Sequence, residues 1–109
     1  MNYFQFLFSG FLLISLFSCS NAERDANNLY VQADNLIKNN EYGKATELLT
    51  QAVKIKPDFA GGLYVLGDLY YRRSSLDTAI DLFSKSLALQ PDNFDCANKL
   101  ANALGKRTV

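Results

Sequence analysis

Beyond residue 25, apolar residues recur at steps of three and four along short segments that polar residues separate. Such spacing places the apolar side chains on one stripe of an α-helix, so it predicts a series of amphipathic helices. The first predicted helix spans residues 26–39 and the second residues 42–55, with a turn at Asn39, Asn40 and Glu41. The two stripes contain Leu29, Ala33, Leu36 and Ile37, and then Ala45, Leu48, Leu49, Ala52 and Val53. Pro57 is expected to stop the second helix, because proline disfavours helical backbone at the residue before it.

The same pattern returns with a fixed period. Residues 26–59 and 60–93 align without a gap, and their closing prolines, Pro57 and Pro91, stand 34 residues apart. Identical residues are spread along the whole alignment: Ala26/Ala60, Leu29/Leu63, Tyr30/Tyr64, Val31/Val65, Asp34/Asp68, Ala45/Ala79, Leu48/Leu82, Pro57/Pro91 and Asp58/Asp92. A period of this size indicates a supersecondary unit that stacks on copies of itself to bury its apolar face. A last helix is predicted from Phe94 to about Leu104. It is expected to turn Ala97, Leu100, Ala101 and Leu104 towards the second unit and to carry Asp95, Asn98, Lys99 and Asn102 on a polar outer face.

The period and its key residues resemble the tetratricopeptide repeat, a helix-turn-helix unit. In the second copy the pattern's positions hold Leu63, Leu66, Gly67, Tyr70, Ala79, Phe83 and Pro91, with Leu63 in place of the opening tryptophan. In the first copy they hold Leu29, Ala33, Leu36, Ala45, Leu49, Ala52 and Pro57, and Gln32 stands where the pattern has leucine. The resemblance implies an all-α fold. The expected architecture is an α-solenoid of two tetratricopeptide repeats, residues 26–59 and 60–93, followed by a C-terminal capping helix and tail, residues 94–109.

Two small residues of the second repeat, Gly67 and Ala79, stand where the helices of a hairpin must approach closely. Gly67 therefore has a packing role, although glycine costs about 1 kcal/mol against alanine inside a helix. We expect a bulky substitution at Gly67 to destabilise the protein more than one at Gly61.

The leader differs from the rest of the chain, since residues 1–22 contain no Asp, Glu, Lys or Arg. Its apolar core is typical of an export signal and shorter than a membrane span. Leu16-Phe17-Ser18-Cys19 resembles a bacterial lipobox, which implies a signal peptide over residues 1–18, a lipidated Cys19 and a tether over residues 19–25. Such a lipoprotein is exported and anchored at the cell envelope, and Ser20 favours the periplasmic side of the outer membrane. The alternatives are a simple secretory signal with an unmodified Cys19 and a leader that itself stays in the membrane.

Arrays that resemble tetratricopeptide repeats hold a peptide or partner helix on the concave surface formed by the first helix of each repeat. Here that resemblance implies a groove that contains Asn27, Tyr30, Asp34, Lys38, Tyr64, Asp68, Tyr71, Arg72, Asn98 and Asn102, with Val31 and Val65 on the same face. Tyrosine and aspartate four residues apart lie on one helix face, so the groove is expected to have aromatic walls and a line of carboxylates. In the alternative interpretation the tyrosines pack half-buried between the repeats and the aspartates are only solvated.

Composition narrows the candidate chemistry. The 11 basic and 11 acidic side chains balance, so no net field favours nucleic acid or an acidic partner. The chain has no histidine and only two cysteines, of which Cys96 is expected to be a buried structural residue, so neither a zinc site nor a catalytic acid–base group is indicated. No cofactor or metal is expected, and the chain is not predicted to be an enzyme.

The predicted function is therefore a protein–protein interaction module, an adaptor or assembly factor at the bacterial cell envelope. The alternative is a structural protein that associates with itself through an open repeat face. Repeat arrays usually need about three units for stability, so a partner or a second copy would help to complete the stack.

Overall fold

The computed structural model describes residues 21–108, and the predicted signal peptide (residues 1–18) and lipidation site Cys19 lie outside this range. The described chain consists of helices joined by short turns. The helices are α1 over residues 21–38, α2 Tyr42–Ile55, α3 Ala60–Arg72, α4 Leu76–Leu89 and α5 Phe94–Arg107. Residues 21–108 contain no strand, and the predicted all-α solenoid is confirmed.

Two helix ends differ from the prediction. Residues 21–25 were expected to be a tether, but they form the first part of α1. They contain no glycine or proline, and Glu23 forms an ion pair with Lys56 at 3.1 Å, so this turn of α1 packs beside the α2–α3 connection. At the other end α5 continues past Leu104 to Arg107, where basic residues interact favourably with the carboxyl end of a helix.

The turns inside the two repeats have the same backbone geometry. Asn40 and Ser74 both adopt the left-handed conformation, with φ of 62°. The N–H of Glu41 donates to the carbonyl of Leu36 at 2.8 Å, and the N–H of Ser75 donates to that of Tyr70 at 3.0 Å. This is the hydrogen-bond pattern of a Schellman motif, which satisfies the last carbonyls of a helix and turns the chain sharply. Each turn therefore sets the second helix of its repeat against the first.

The core is continuous through the hairpin of α3 and α4. Phe83 is fully buried and lies against Gly67, while Leu63, Leu66 and Leu69 of α3 are also buried. Two buried hydrogen bonds join successive helices: the hydroxyl of Ser86 donates to the carbonyl of Ala60 at 2.8 Å, and the thiol of Cys96 donates to the carbonyl of Phe83 at 3.3 Å. Polar groups thus reinforce the contact from α3 to α4 and from α4 to α5.

The orientation of α5 agrees with the prediction only in part: Leu100 packs against the buried Ala79 and Phe83 of the second repeat as expected, but Ala101 and Leu104 do not. The residues that α5 buries are Cys96 and Ala103, whereas Ala101 is exposed and Leu104 is 38% exposed. The α5 positions one repeat beyond Leu63, Leu66, Gly67 and Tyr70 hold Ala97, Leu100, Ala101 and Leu104. In α3 the corresponding residues face the second helix of their own repeat. No helix follows α5 within residues 21–108, so part of the corresponding face of α5 is left uncovered.

Candidate protein-interaction surface

The predicted groove residues lie on α1, α3 and α5, and none of them is buried. Asn27, Lys38, Arg72, Asn98 and Asn102 are exposed, and Tyr30, Asp34, Tyr64, Asp68 and Tyr71 are half-buried. All of these side chains therefore keep surface that a partner can contact. The contacts among them differ from one repeat to the other.

The tyrosines pack between the repeats and still expose part of each ring. Tyr64 and Tyr71 lie two helical turns apart on α3, with ring centroids 6.0 Å and 6.4 Å from that of Phe83. Tyr30 instead stacks on Phe59 at 5.4 Å. The ring of Phe59 lies over Gly61 and Gly62, where a Cβ would come within 3.3 Å of it. Buried or half-buried aromatic rings therefore hold all three tyrosines in fixed orientations.

Asp68 is the most strongly paired carboxylate of the surface. It accepts a hydrogen bond from Lys99 of α5 and another from Nε of Arg72 at 3.0 Å. Burial by itself raises the pKa of Asp68, but the hydrogen bonds from Lys99 and Arg72 outweigh it and hold this pKa below its usual value. Burial likewise lowers the pKa of Lys99, while the bond to Asp68 raises it to a net value above the usual one. Asp68 is thus neutralised by two cations and links α5 to α3, so this carboxylate of the predicted groove is already paired within the protein.

A carboxylate–cation pair recurs with the repeat period until the last copy. Asp34 pairs with Lys38 at 2.8 Å, and Asp68 pairs with Arg72 at 3.0 Å. In α5 the corresponding residues are Asn102 and Lys106, so the carboxylate is lost and the cation remains. Among residues 21–108 Lys106 forms no salt bridge, and its ammonium lies 4.5 Å from the ring centroid of Tyr71. The C-terminal part of the surface therefore carries a cation that its own repeat does not neutralise.

Lys99 and Lys106 were not among the predicted groove residues, and Lys99 was assigned to the outer polar face of α5. Its ammonium lies 5.5 Å from the ring centroid of Tyr64, so it belongs to the concave side. Both lysines could have been predicted as residues of the concave side from the repeat period. Lys99 occupies the position of Val31 and Val65, and Lys106 that of Lys38 and Arg72.

The described residues contain one buried thiol and no cluster of potential metal ligands. Within residues 21–108 no three Cys, Asp or Glu side chains lie close enough to hold a metal ion. Burial raises the pKa of the Cys96 thiol, which suits a structural residue and not a nucleophile. The same residues form no helix that is long and apolar enough to span a membrane.

The fold and this surface define the chain as a helical repeat protein of the scaffold class. The sequence profile of the tetratricopeptide repeat matches residues 30–94, which is more than half of the chain. The chain therefore belongs to the tetratricopeptide repeat family. Repeats of this family generally act as non-catalytic modules for protein–protein interaction or scaffolding.

Solved structures with the same fold include the crystal structure of MamA, which matches 77% of this chain with a TM-score of 0.73 and 20% sequence identity. At that identity the likeness concerns the fold alone, and the chain spans only 49% of MamA. A tetratricopeptide repeat domain protein from Salinibacter ruber has a crystal structure that matches 74% of this chain and 97% of its own, at a TM-score of 0.68 and 28% identity. Its solution NMR structure gives a TM-score of 0.67. No curated protein sequence matches the chain.

Proposed function

We propose that this protein is an adaptor that holds a peptide or helix of a partner protein on the concave surface of α1, α3 and α5. The observation that carries the proposal is the pair Tyr64 and Tyr71, which are half-exposed on one face of α3 while the buried ring of Phe83 supports them from behind. Aromatic side chains that are already fixed offer large contact area and lose little conformational entropy on binding.

The polar groups around these tyrosines favour hydrogen bonding over a purely ionic contact. Asp68 is neutralised by Lys99 and Arg72, so the partner does not need to supply cations to balance it. The amides of Asn98 and Asn102 are exposed on α5, and each can both donate to and accept from a peptide backbone. The partner we propose is therefore a segment that places apolar or aromatic side chains on the tyrosines and backbone groups on the asparagines.

A photo-crosslinking experiment tests this surface. A photoreactive amino acid is placed at Asn98, on the concave side, or at Asp81, an exposed residue of α4 that serves as the control. Irradiation of cells is expected to give discrete crosslinked products at position 98 but not at position 81. The same products are expected to disappear when Tyr64 and Tyr71 are both changed to alanine. Equal products at both positions, or products that survive the tyrosine changes, would refute the proposed groove.

We further propose that Cys19 is lipidated and anchors the adaptor at the bacterial cell envelope, on the periplasmic side of the outer membrane. The lipobox-like sequence before Cys19 supports this. Only Ser20 separates Cys19 from the described part of α1, so the concave surface would be held close to the membrane. More than one acyl chain makes such an anchor stable. The alternative is a secreted or leader-anchored protein with an unmodified Cys19.

Intact mass and detergent partitioning of the protein made in a bacterial host test the anchor. The expected mass lacks residues 1–18 and includes acyl chains, and the protein partitions into the detergent phase. Cys19→Ser is expected to abolish the acylation. An unmodified thiol at Cys19 would instead support the alternative, and the groove experiment would remain valid in either case.

A further inference from the structure

The concave surface ends in an open pocket between α3 and α5. It has a volume of about 670 Å³ and is lined by Tyr71, Ala101, Asn102, Gly105 and Lys106. This volume is in the range of ligand sites in proteins, about 300 to 1,000 Å³. Two of the lining residues are small, and a Cβ built at Gly105 would meet nothing within 4 Å, so a bound chain can approach α5 closely. We call this site the C-terminal pocket.

The C-terminal pocket contains a cation that the protein does not neutralise. The ammonium of Lys106 lies 4.5 Å from the ring centroid of Tyr71 and forms no salt bridge within residues 21–108. The ring of Tyr71 is itself supported by the buried ring of Phe83, at 6.4 Å. A lysine ammonium has three N–H donors, and a ring face covers only one side of it. Lys106 is therefore oriented by the ring and can still donate to an acceptor that enters the pocket.

The repeat period indicates which acceptor is missing. Each complete repeat has a carboxylate–cation pair at this place: Asp34 with Lys38 at 2.8 Å, and Asp68 with Arg72 at 3.0 Å. Lys106 stands one repeat beyond the second of these cations, but Asn102 takes the place of the aspartate. A carboxylate side chain supplied from outside would complete the third pair. The exposed amide of Asn102, one turn away on the same helix, is a second donor for it.

The neighbouring charges favour an acidic group as well. The chain as a whole is neutral, but the last turns of α3 and α5 and the residue after α3 carry cations and no carboxylate: Arg72, Arg73, Lys106 and Arg107. Asp68 and Asp77 form salt bridges with two of these cations. Arg73 and Lys106 form none within residues 21–108 and lie beside tyrosine rings instead. Charge complementarity therefore favours an acidic partner at this end of the groove.

We propose that the C-terminal pocket receives an aspartate or glutamate side chain of the partner segment, whose carboxylate pairs with Lys106 and accepts a hydrogen bond from Asn102. This inference rests on the proposed groove and adds a fixed point to it. The segment lies across Tyr64 and Tyr71 and places its acidic residue at the carboxyl end of α5. A bound segment excludes water from the pocket, so this ion pair is stronger there than on an open surface. The acidic residue therefore fixes the register of the partner along the groove.

Peptide selection with charge reversal tests the pocket. A phage library of short random peptides, each joined to the coat protein by its C-terminus, is selected on the detergent-solubilised full-length chain, so that only side chains supply carboxylates. Peptides that bind the wild type but not the double variant Tyr64→Ala, Tyr71→Ala are groove ligands, and they are expected to share an acidic residue at one position. Lys106→Glu is expected to select a basic residue there instead. Lys38→Glu, a change at the matched position of the first repeat, is expected to keep the acidic residue.

A double-variant cycle then measures the pair. One synthetic groove ligand is compared by calorimetry with the same peptide in which the acidic residue is replaced by its amide. The replacement is expected to weaken binding to the wild type about fivefold. Binding to Lys106→Gln is expected to change less than about twofold, because the cation is already absent. Lys38→Gln is expected to show the same loss as the wild type.

The outcomes separate the pocket from the groove. Groove ligands without an acidic position would overturn this inference and leave the proposed groove intact. The same holds for an acidic residue whose replacement costs as much on Lys106→Gln as on the wild type. If no selected peptide depends on Tyr64 and Tyr71, the proposed groove fails and the pocket proposal fails with it.

Discussion

Gly67 and Phe83 are in direct contact where α3 crosses α4. A Cβ at Gly67 would lie 2.8 Å from both Cδ1 and Cε1 of the Phe83 ring, closer than side-chain carbons normally approach. Phe83 is fully buried, and its ring also supports Tyr64 and Tyr71. The absence of a side chain at Gly67 therefore determines both the packing of the second repeat and the position of the tyrosines on its concave side.

Gly67→Ala is expected to lower the free energy of unfolding by about 2 kcal/mol. Alanine has the better helix propensity, but the enclosed ring of Phe83 cannot move aside, and overpacking of this kind typically costs about 1 to 3 kcal/mol. Urea denaturation measures the change. Gly61→Ala is the control, because its Cβ would meet the half-buried ring of Phe59 at 3.3 Å, and that ring can shift. The expected effect there is within about 0.5 kcal/mol. The opposite ranking of the two variants would show that Gly67 does not have this packing role.

Ser74→Gly is expected to stabilise the protein by about 0.5 to 1 kcal/mol. Ser74 has a φ of 62°, a conformation that glycine adopts without the steric cost that other residues bear. Thermal melts would show the gain as a higher midpoint. Asn40 occupies the equivalent turn with the same φ, and asparagine tolerates this conformation, so Asn40→Gly is expected to change little. A lower midpoint for Ser74→Gly would contradict the explanation.

The ion pair between Asp68 and Lys99 is expected to make stability depend on pH. The pKa of Asp68 is lowered on folding, so its contribution is complete above the unfolded value of about 3.9 and is lost as the pH falls through the lower folded value. The pKa of Lys99 is raised, so its contribution is complete below about 10.4 and is lost as the pH rises through the higher folded value. Asp68→Asn is therefore expected to cost about 1 kcal/mol at pH 7 and progressively less as the pH falls below about 3.9.

Urea denaturation across this pH range checks the dependence. The control is Asp81→Asn, because Asp81 pairs with Lys85 at 2.9 Å and both side chains are 61% exposed. Solvent screens such a pair, and its removal is expected to have almost no effect. A loss at Asp68 that stayed constant down to pH 2 would indicate lost packing in place of lost charge.

Asn93 caps the N-terminus of α5, and its replacement is expected to destabilise the protein. Its side chain accepts a hydrogen bond from the N–H of Cys96 at 3.1 Å, whereas Ser75, the N-cap of α4, makes no such bond. Asn93→Ala is expected to cost about 1 kcal/mol, and Ser75→Ala much less. Thermal melts of both variants distinguish them, and equal losses would mean that the cap of α5 contributes nothing specific.

The local features of this fold were predictable because they depend on neighbouring residues. The turn at Asn40, the end of α2 before Pro57 and the packing role of Gly67 all follow from the apolar period and from residues with special backbone properties. The start of α1 was predicted five residues too late, because residues 21–25 contain no glycine or proline and extend the helix back from the buried Ala26. The signal peptide and Cys19 remain predictions.

The sequence by itself determined the repeat period, the helices and the family, since a stripe of apolar residues is a property of each helix alone. Only the tertiary structure decided how far each helix is rotated about its axis, because that rotation depends on what the neighbouring helices leave to be covered. The rotation of α5 brings Lys99 to Asp68, separates Lys106 from any carboxylate of residues 21–108 and leaves Phe94 and Leu104 exposed. The concave surface of this protein and the exposed apolar residues of α5 are consequences of that packing.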